Sequence, residues 1–463
     1  MRVLAIAVIA SACGAAQVPQ VPRGPGHAAP SESSAPSEPG AGEPLSVAEP
    51  RHLVPATPAA PPPTPAAADA ADEVTRVALD ALAARDFAAV AAAFDPAGAP
   101  TAARVAAMWA GKAGALGAVA RWAVVDRTRQ DGFETRTVRI ELERGALHGL
   151  LAIAPETGRI ASLFVSQPAP PARYIDRSRF REQPVTVGAA PYLLDGTLTL
   201  PAGTGPFPAA VLVHGSGPND RDSTVGSTKI FKDLAEGLAS AGIAVLRYDK
   251  RTFRHGDRLT SAITIDEEVL DDAVAAVRVL AARAEIDAGR LFVIGHSLGG
   301  QLAPEIAVRA GNVAGAVLLA PPGRPPWDIL LTQMRYLRAP RATLAALERA
   351  ITEIHFGGTT ELLGIPYAYW RDLASRDGVA MARALGRPVL VLHGDRDYQV
   401  TADDLAIWRQ GLAGVRHAEF ATFPGVSHLF IRGTGAPGPL EYKLPGHVDD
   451  RVIDRVIAFL RRR

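Results

Sequence analysis

Residues 291–300 read LFVIGHSLGG, and this stretch constrains the fold more than any other. Residues 291–294 form a short apolar run typical of a buried strand, and a stretch rich in Leu and Ala follows Ser297. Gly295 and Gly299 flank the serine in the pattern G-x-S-x-G, where small residues permit a sharp strand-to-helix turn. Because such a turn lifts the hydroxyl out of the sheet, the stretch predicts that Ser297 is a nucleophile.

Strand-like and helical patterns alternate on both sides of this stretch. Short apolar runs lie between turn residues at 209–213, 243–247, 291–294, 316–319 and 389–392. Fully apolar strands separated by helices indicate a mostly parallel sheet with helices on both faces. We therefore predict an α/β catalytic domain over residues 180–463, with one of its helices capped near Asp266.

The segment between the runs at 316–319 and 389–392 is too long for a simple crossover. We predict that residues 321–386, approximately, form a cap above Ser297. Aromatic side chains of this segment either line a substrate pocket or pack the cap's own core: Trp327, Tyr336, Tyr367, Tyr369 and Trp370.

Two carboxylates compete for the role of catalytic acid in HGDRDYQVT, residues 393–401. After a serine on such a turn, the partners follow in the order acid, then histidine. We favour Asp397, which stands shortly before the small apolar Val400, and interpret Asp395 as a loop-ordering residue. The acid would orient an imidazole and stabilise the imidazolium.

A serine hydroxyl needs a base to remove its proton. His428 lies in FPGVSHLF, after the strand predicted at 417–422 and before the last helix. His447 stands at the start of that helix, where capping explains it better, and His417 lies on the strand itself. The predicted triad is therefore Ser297, Asp397 and His428.

The loop HGSGPNDRDST, residues 214–224, is the candidate for one side of an oxyanion hole, which requires backbone N–H donors. We predict Ser216 as one donor, with Gly217 as the alternative, and Leu298 as the other. His214 is interpreted as structural. Three charged residues either form a solvated turn or support the rim of the site: Asp220, Arg221 and Asp222.

The first residues, MRVLAIAVIASACG, have the pattern of a signal peptide, here predicted over residues 1–16. The apolar run is too short to span a bilayer as a helix. The small residues before Cys13 resemble the cleavage box of bacterial lipoproteins, although Ala10 replaces the usual Leu. We predict lipidation of Cys13 and export to the cell envelope; ordinary cleavage near Ala16, leaving no anchor, is the alternative.

Two further segments precede the catalytic domain. Residues 17–70 are rich in Pro, Ala, Ser and Gly, which predicts a disordered linker. Residues 72–166 show two helical patterns and then four extended runs separated by turn residues, which predicts a small α+β domain.

Composition excludes several classes of function. The formal net charge of +1 over 463 residues predicts no nucleic-acid partner. Because Cys13 is the one cysteine, no intramolecular disulfide can form, and no zinc-site spacing is present. No metal or organic cofactor is predicted.

Several motifs together resemble a group of two-domain bacterial esterases of the α/β-hydrolase superfamily: VLVHGSGPNDRD, AVLRYDKRT, VIGHSLGG, LHGDRDYQVT and PGVSHLF. The small domain is similar to the nuclear-transport-factor-2-like (NTF2-like) fold. The resemblance implies an α/β-hydrolase fold, no cofactor, and hydrolysis of short acyl esters by Ser297, Asp397 and His428. It implies loop-ordering roles for Tyr248, Asp249 and Arg251. We interpret the small domain as an accessory, homodimer-forming or substrate-positioning unit.

We therefore expect a serine carboxylesterase whose partner is a small-molecule ester. The same triad would serve a peptidase, thioesterase or acyltransferase, and an envelope binding protein with a hydrolase shell is the alternative from another class. A carboxylate near the pocket would favour amine recognition, and a hydrophobic tunnel would favour long acyl chains.

Overall fold

The computed structural model describes residues 65–462, except 97, 131–132, 168–171, 226–227, 257, 260–262, 359–360, 434 and 444–445. The predicted signal peptide, Cys13 and most of the predicted linker lie outside the described residues. Helix α1 (Pro65–Ala83) begins inside the segment predicted as linker, so the predicted boundary at residue 70 is wrong. The alanines of this segment favour a helix, and proline is well suited to a first helical position.

A small α+β domain comes first. Two further helices precede an antiparallel meander: α2 (Phe87–Ala92), α3 (Ala102–Ala113), β1 (Val119–Gln130), β2 (Phe133–Leu142), β3 (Gly145–Ala154) and β4 (Arg159–Ser166). The short α2, which the sequence reading missed, begins at the N-cap Asp86, whose side chain accepts from the backbone N–H of Ala89. Helices and sheet enclose a separate apolar core that includes Leu82, Trp109 and Leu151.

An eight-stranded sheet forms the centre of the second domain, in the order β16-β15-β12-β11-β7-β10-β6-β5. The strands are β5 (Phe180–Val187), β6 (Leu194–Pro201), β7 (Phe207–Val213), β10 (Ala244–Tyr248), β11 (Ile286–His296), β12 (Val313–Leu319), β15 (Val389–Gly394) and β16 (Ala418–Phe423); two small hairpins comprise β8 (Thr224–Val225) with β9 (Thr228–Lys229) and β13 (Glu361–Leu362) with β14 (Ile365–Pro366). The six strands from β16 to β10 are parallel, whereas β6 pairs antiparallel with both neighbours.

Helices cover both faces of this sheet. The α-helices of this domain are α4 (Ile230–Ser240), α5 (Arg251–Arg254), α6 (Asp271–Ala281), α7 (Leu298–Ala310), α8 (Pro326–Tyr336), α9 (Arg341–His355), α10 (Tyr367–Ser375), α11 (Gly378–Ala384), α12 (Ala402–Gly411) and α13 (Asp450–Arg461). Val211 and Val213 of β7 join one apolar cluster with α6 and α7, whereas Ala210 and Leu212 join another with α4 and α13. This alternation follows from the two-residue period of a strand.

Helices α8 to α11 lie between β12 and β15, in the segment predicted as a cap. We call residues 321–386 the cap segment. Its base is attached to α12 by Asp404, which is fully buried and accepts from the backbone N–H groups of Gly323 and Arg324 at 3.1 Å. Within the described part of the chain, no helix combines the length and apolar character that crossing a membrane requires.

Candidate active site

Ser297 occupies the turn between β11 and α7 with φ 54° and ψ −118°, a left-handed conformation that non-glycine residues rarely adopt. A Cβ atom on Gly295 would overlap the backbone of Gly299, and one on Gly299 would overlap the backbone of Val213. The two glycines are therefore required for the close approach of β7, β11 and α7. The turn places Ser297 at the N-terminus of α7, whose dipole favours negative charge there.

Asp397 and Asp395 have different partners, as the sequence reading expected. One oxygen of the buried Asp397 carboxylate accepts from the N–H groups of Gln399 at 2.8 Å and Val400 at 2.9 Å. Its other oxygen, Oδ2, is 2.6 Å from Nδ1 of His428. Asp395 instead accepts from the backbone N–H of Gly425 at 2.7 Å, which orders the loop. Asp397 is thus the carboxylate that can orient the imidazole.

His428 is buried beside Asp397, and the rival histidines lie elsewhere. His447 is 2.9 Å from Asp233 through Nδ1. The N-cap of α13 is Asp449, whose side chain accepts from the N–H of Arg451, so the predicted capping role of His447 is wrong. His417 precedes β16, where its carbonyl accepts from the N–H of Val389.

His296 contacts His428 directly, a contribution that the sequence reading missed. Its Nε2 donates to the backbone carbonyl of His428 at 2.9 Å, and the two rings lie 4.7 Å apart between centroids. Burial lowers the pKa of His296 to about 3, so the ring is neutral at ordinary pH. One feature of the sequence could have indicated this contact: His296 directly precedes the predicted nucleophile Ser297, at the end of an apolar run.

Hydrogen bonds from two side chains hold the backbone of the loop 214–224 in place. The amide of Asn219 donates to the carbonyls of Ser216 at 3.1 Å and Gly217 at 3.0 Å, and Lys250 Nζ donates to the carbonyl of Gly215 at 2.9 Å. Ser216 and Leu298, the predicted oxyanion donors, line the same pocket as Ser297 and His428. The sequence reading passed over both Asn219 and Lys250.

Two of the three charged residues of this loop form ion pairs and the third accepts hydrogen bonds within the loop, which favours the alternative in which they support the rim of the site. Arg221 pairs with Asp249 at 2.7 Å, and Asp222 pairs with Arg247 at 2.9 Å. Asp220 accepts from the N–H of Thr224 at 2.8 Å. His214 is structural, as expected: it bonds the carbonyl of Tyr248 at 2.7 Å and stacks on Phe231.

The sequence matches a known family. The profile described as the alpha/beta hydrolase family matches residues 210–435. Esterase EstD of Thermotoga maritima is 40% identical over 341 residues, which cover 72% of this chain and 80% of that protein. The chain belongs to the α/β-hydrolase family. The predicted fold class is thereby confirmed, as is the prediction of a hydrolase.

Two solved structures are similar to this hydrolase at low sequence identity. A Pyrococcus furiosus esterase, PF2001, has a TM-score of 0.41 and 15% identity, and the match covers 61% of this chain and 91% of that one. A puromycin-hydrolyzing peptidase of Mycobacterium tuberculosis has a TM-score of 0.44 and 19% identity, covering 74% of this chain and 47% of that one.

The hydrolase's pocket extends from Ser297 to the cap segment. Tyr369 and Trp370 line it, whereas Trp327 and Tyr367 are buried without lining it. The remaining aromatic, Tyr336, is partly exposed and stacks on Tyr398.

The lining combines apolar and polar groups. Apolar side chains come from Ile329, Leu330, Trp370, Leu373 and Val400, and polar ones from Asn219, Gln301, Gln333 and Gln399. Among the described residues that line the pocket, none is Asp, Glu, Lys or Arg. The pocket is therefore suited to a neutral ligand.

Proposed function

We propose that this hydrolase is a serine carboxylesterase acting on short-chain acyl esters through Ser297, Asp397 and His428. The observation that carries the proposal is the 2.6 Å contact between Asp397 and His428, in the pocket lined by Ser297. The name of the Thermotoga maritima relative, an esterase, also supports it.

The hydrogen bond at one ring nitrogen of His428 indicates the mechanism. Nδ1 of His428 faces Asp397, which leaves Nε2 to accept the proton of Ser297. Ser297 Oγ attacks the ester carbonyl, and the N–H groups of Ser216 and Leu298 stabilise the resulting oxyanion. His428 returns the proton to the departing alcohol. Water then attacks the carbonyl of the acyl-serine through the same steps, which releases the carboxylic acid and the free enzyme.

The pocket's chemistry favours a neutral ester over a charged amine. A substrate ammonium group would need a carboxylate partner to offset its loss of hydration, and the described lining residues supply none. Beside its apolar side chains, the lining includes three neutral polar ones, Gln301, Gln333 and Gln399. This arrangement supports short acyl chains.

The test compares the full-length chain with Ser297→Ala on p-nitrophenyl acetate, butyrate and octanoate. We expect wild-type turnover to be greatest for the shorter chains and to fall on the order of 10⁶-fold in the variant. Ser162→Ala is the matched control, because Ser162 is exposed on β4 in the small domain and should leave turnover unchanged.

The same preparation distinguishes the rival functions. Faster turnover of a p-nitroanilide or a thioester than of the matching ester would assign a peptidase or thioesterase instead. A wild-type chain that neither turns over these substrates nor is labelled by a fluorophosphonate would favour the non-catalytic binding protein.

A further inference from the structure

Lys250 and Glu268 form a buried ion pair beneath the active site. Their side chains are 2.5 Å apart between Nζ and Oε1, and each residue is 2% exposed. A buried pair of this kind adds little net stability, because the loss of hydration offsets the attraction between the charges. Its position therefore calls for another explanation.

The ammonium of Lys250 also donates to the carbonyl of Gly215 at 2.9 Å. That carbonyl belongs to the same peptide group as the N–H of Ser216, and the C=O and N–H of a trans peptide point in opposite directions. A cation on the carbonyl side withdraws electron density and strengthens the N–H as a donor. The N–H concerned is the one that would face the oxyanion.

The other end of this chain of contacts lies in the cap segment. The hydroxyl of Tyr369, on α10, is 2.6 Å from Oε2 of Glu268. Burial and the charge of Glu268 raise the pKa of Tyr369 well above its ordinary value, so the phenol stays protonated and donates. Tyr369 also lines the pocket, where a substrate would contact it.

We propose that Lys250 is a positioning residue that polarises the Gly215–Ser216 peptide toward the oxyanion, and that Glu268 and Tyr369 link this peptide to the cap segment. The inference rests on the proposed esterase function. A change in the position of α10 would be transmitted through Tyr369, Glu268 and Lys250 to the oxyanion hole. The cap segment would then influence the chemical step as well as substrate binding.

The test uses the full-length chain with the double substitution Lys250→Met and Glu268→Gln, which leaves neither charge unpaired. We measure kcat and KM for p-nitrophenyl butyrate and the inhibition constant of a propyl trifluoromethyl ketone, which forms a tetrahedral oxyanion on the serine. We expect kcat to fall about 10- to 100-fold, somewhat less than on loss of a whole oxyanion donor. KM should change little, and the inhibition constant should rise by the factor lost in kcat/KM.

Two further variants keep the result interpretable. Tyr369→Phe removes one hydroxyl and should fold even if the double variant does not; we expect a smaller loss, about 3-fold, with the same split between kcat and KM. The control is Arg251→Met with Asp272→Asn, a neighbouring, partly buried pair at 2.7 Å that should leave kcat unchanged.

The outcomes separate this inference from the proposed function. Wild-type hydrolysis that is lost in Ser297→Ala establishes the esterase. With that in hand, the inference is overturned if the Lys250 and Glu268 variant matches the Arg251 and Asp272 control, or if only KM changes. If the double variant is unfolded, a Tyr369→Phe enzyme with wild-type kcat and inhibition constant overturns it. Absence of hydrolysis in the wild type would overturn both.

Discussion

Asp395 and Asp397 stand in one loop, yet the first accepts from a backbone N–H and the second from the imidazole of His428. We expect Asp397→Asn to lower kcat about 10⁴-fold, because the amide favours the wrong imidazole tautomer and cannot stabilise the imidazolium. Asp395→Asn is the matched control: its oxygen can still accept from Gly425. Steady-state kinetics on p-nitrophenyl butyrate would decide, and equal losses in the two variants would remove Asp397 from the triad.

The burial of His214 makes the free energy of unfolding depend on pH. Burial lowers its pKa to about 3, from an ordinary value of 6.5. The unfolded chain therefore binds a proton below pH 6.5 that the folded chain does not bind until about pH 3. The free energy of unfolding should fall as the pH falls through this window, by up to about 1.4 kcal/mol per pH unit for this group.

The variant His214→Gln should lose this contribution while keeping a donor for the carbonyl of Tyr248. Urea unfolding between pH 7 and pH 4 is the measurement, and the wild type should show the steeper decline. Parallel curves for the two chains would contradict the assignment.

At the scale of elements, the close packing of β7, β11 and α7 depends on Gly299. A methyl group there would meet the carbonyl oxygens of Val213 and His214. We expect Gly299→Ala to lower the free energy of unfolding by about 1–3 kcal/mol and to abolish most activity, because the turn at Ser297 must shift. Gly111→Ala, in α3 with no atom within 4 Å, should leave stability equal or slightly higher. Thermal and urea unfolding would test both.

The attachment of the cap segment depends on Asp404. This carboxylate binds Arg324 at 2.8 Å and two backbone N–H groups at the base of the cap segment. We expect Asp404→Ala to destabilise the chain by about 3–5 kcal/mol, since it leaves a partly buried Arg324 unpaired. The exposed neighbour Asp403 provides the control, because Asp403→Ala should change stability by less than about 0.5 kcal/mol. Equal effects would mean that Asp404 does not hold the cap segment.

At the scale of the whole molecule, we propose that Cys13 carries a lipid and holds the catalytic domain at the cell envelope through the Pro/Ala-rich linker. In an exporting bacterial host, the full-length wild type should be found with membranes and take up labelled palmitate. Cys13→Ser should lose the label and leave the membrane fraction. A wild type that is exported but unlabelled would indicate ordinary cleavage near Ala16.

Sequence reasoning worked best where geometry allows few residue types. The two-glycine turn at Ser297 and the fully apolar strands led to the α/β fold, and the order serine, acid, histidine led to the contact between Asp397 and His428. It failed at helix starts: α1 begins inside the segment predicted as linker, and the N-cap of α13 is Asp449 rather than His447. Several polar residues near a helix start can serve as N-cap, and packing selects among them.

The sequence by itself determined the class of fold and the residues proposed as the triad. The reason is that local periodicity and the steric limits at a strand-to-helix turn depend on residues that are neighbours in the chain. Only the tertiary structure decided which side chains meet across long separations. Lys250, Glu268 and Tyr369 come from three separate segments of the chain and give no local pattern. Their contact depends on how the cap segment packs against the rest of the domain. Whether a buried charge has a partner can therefore be seen only in the tertiary structure.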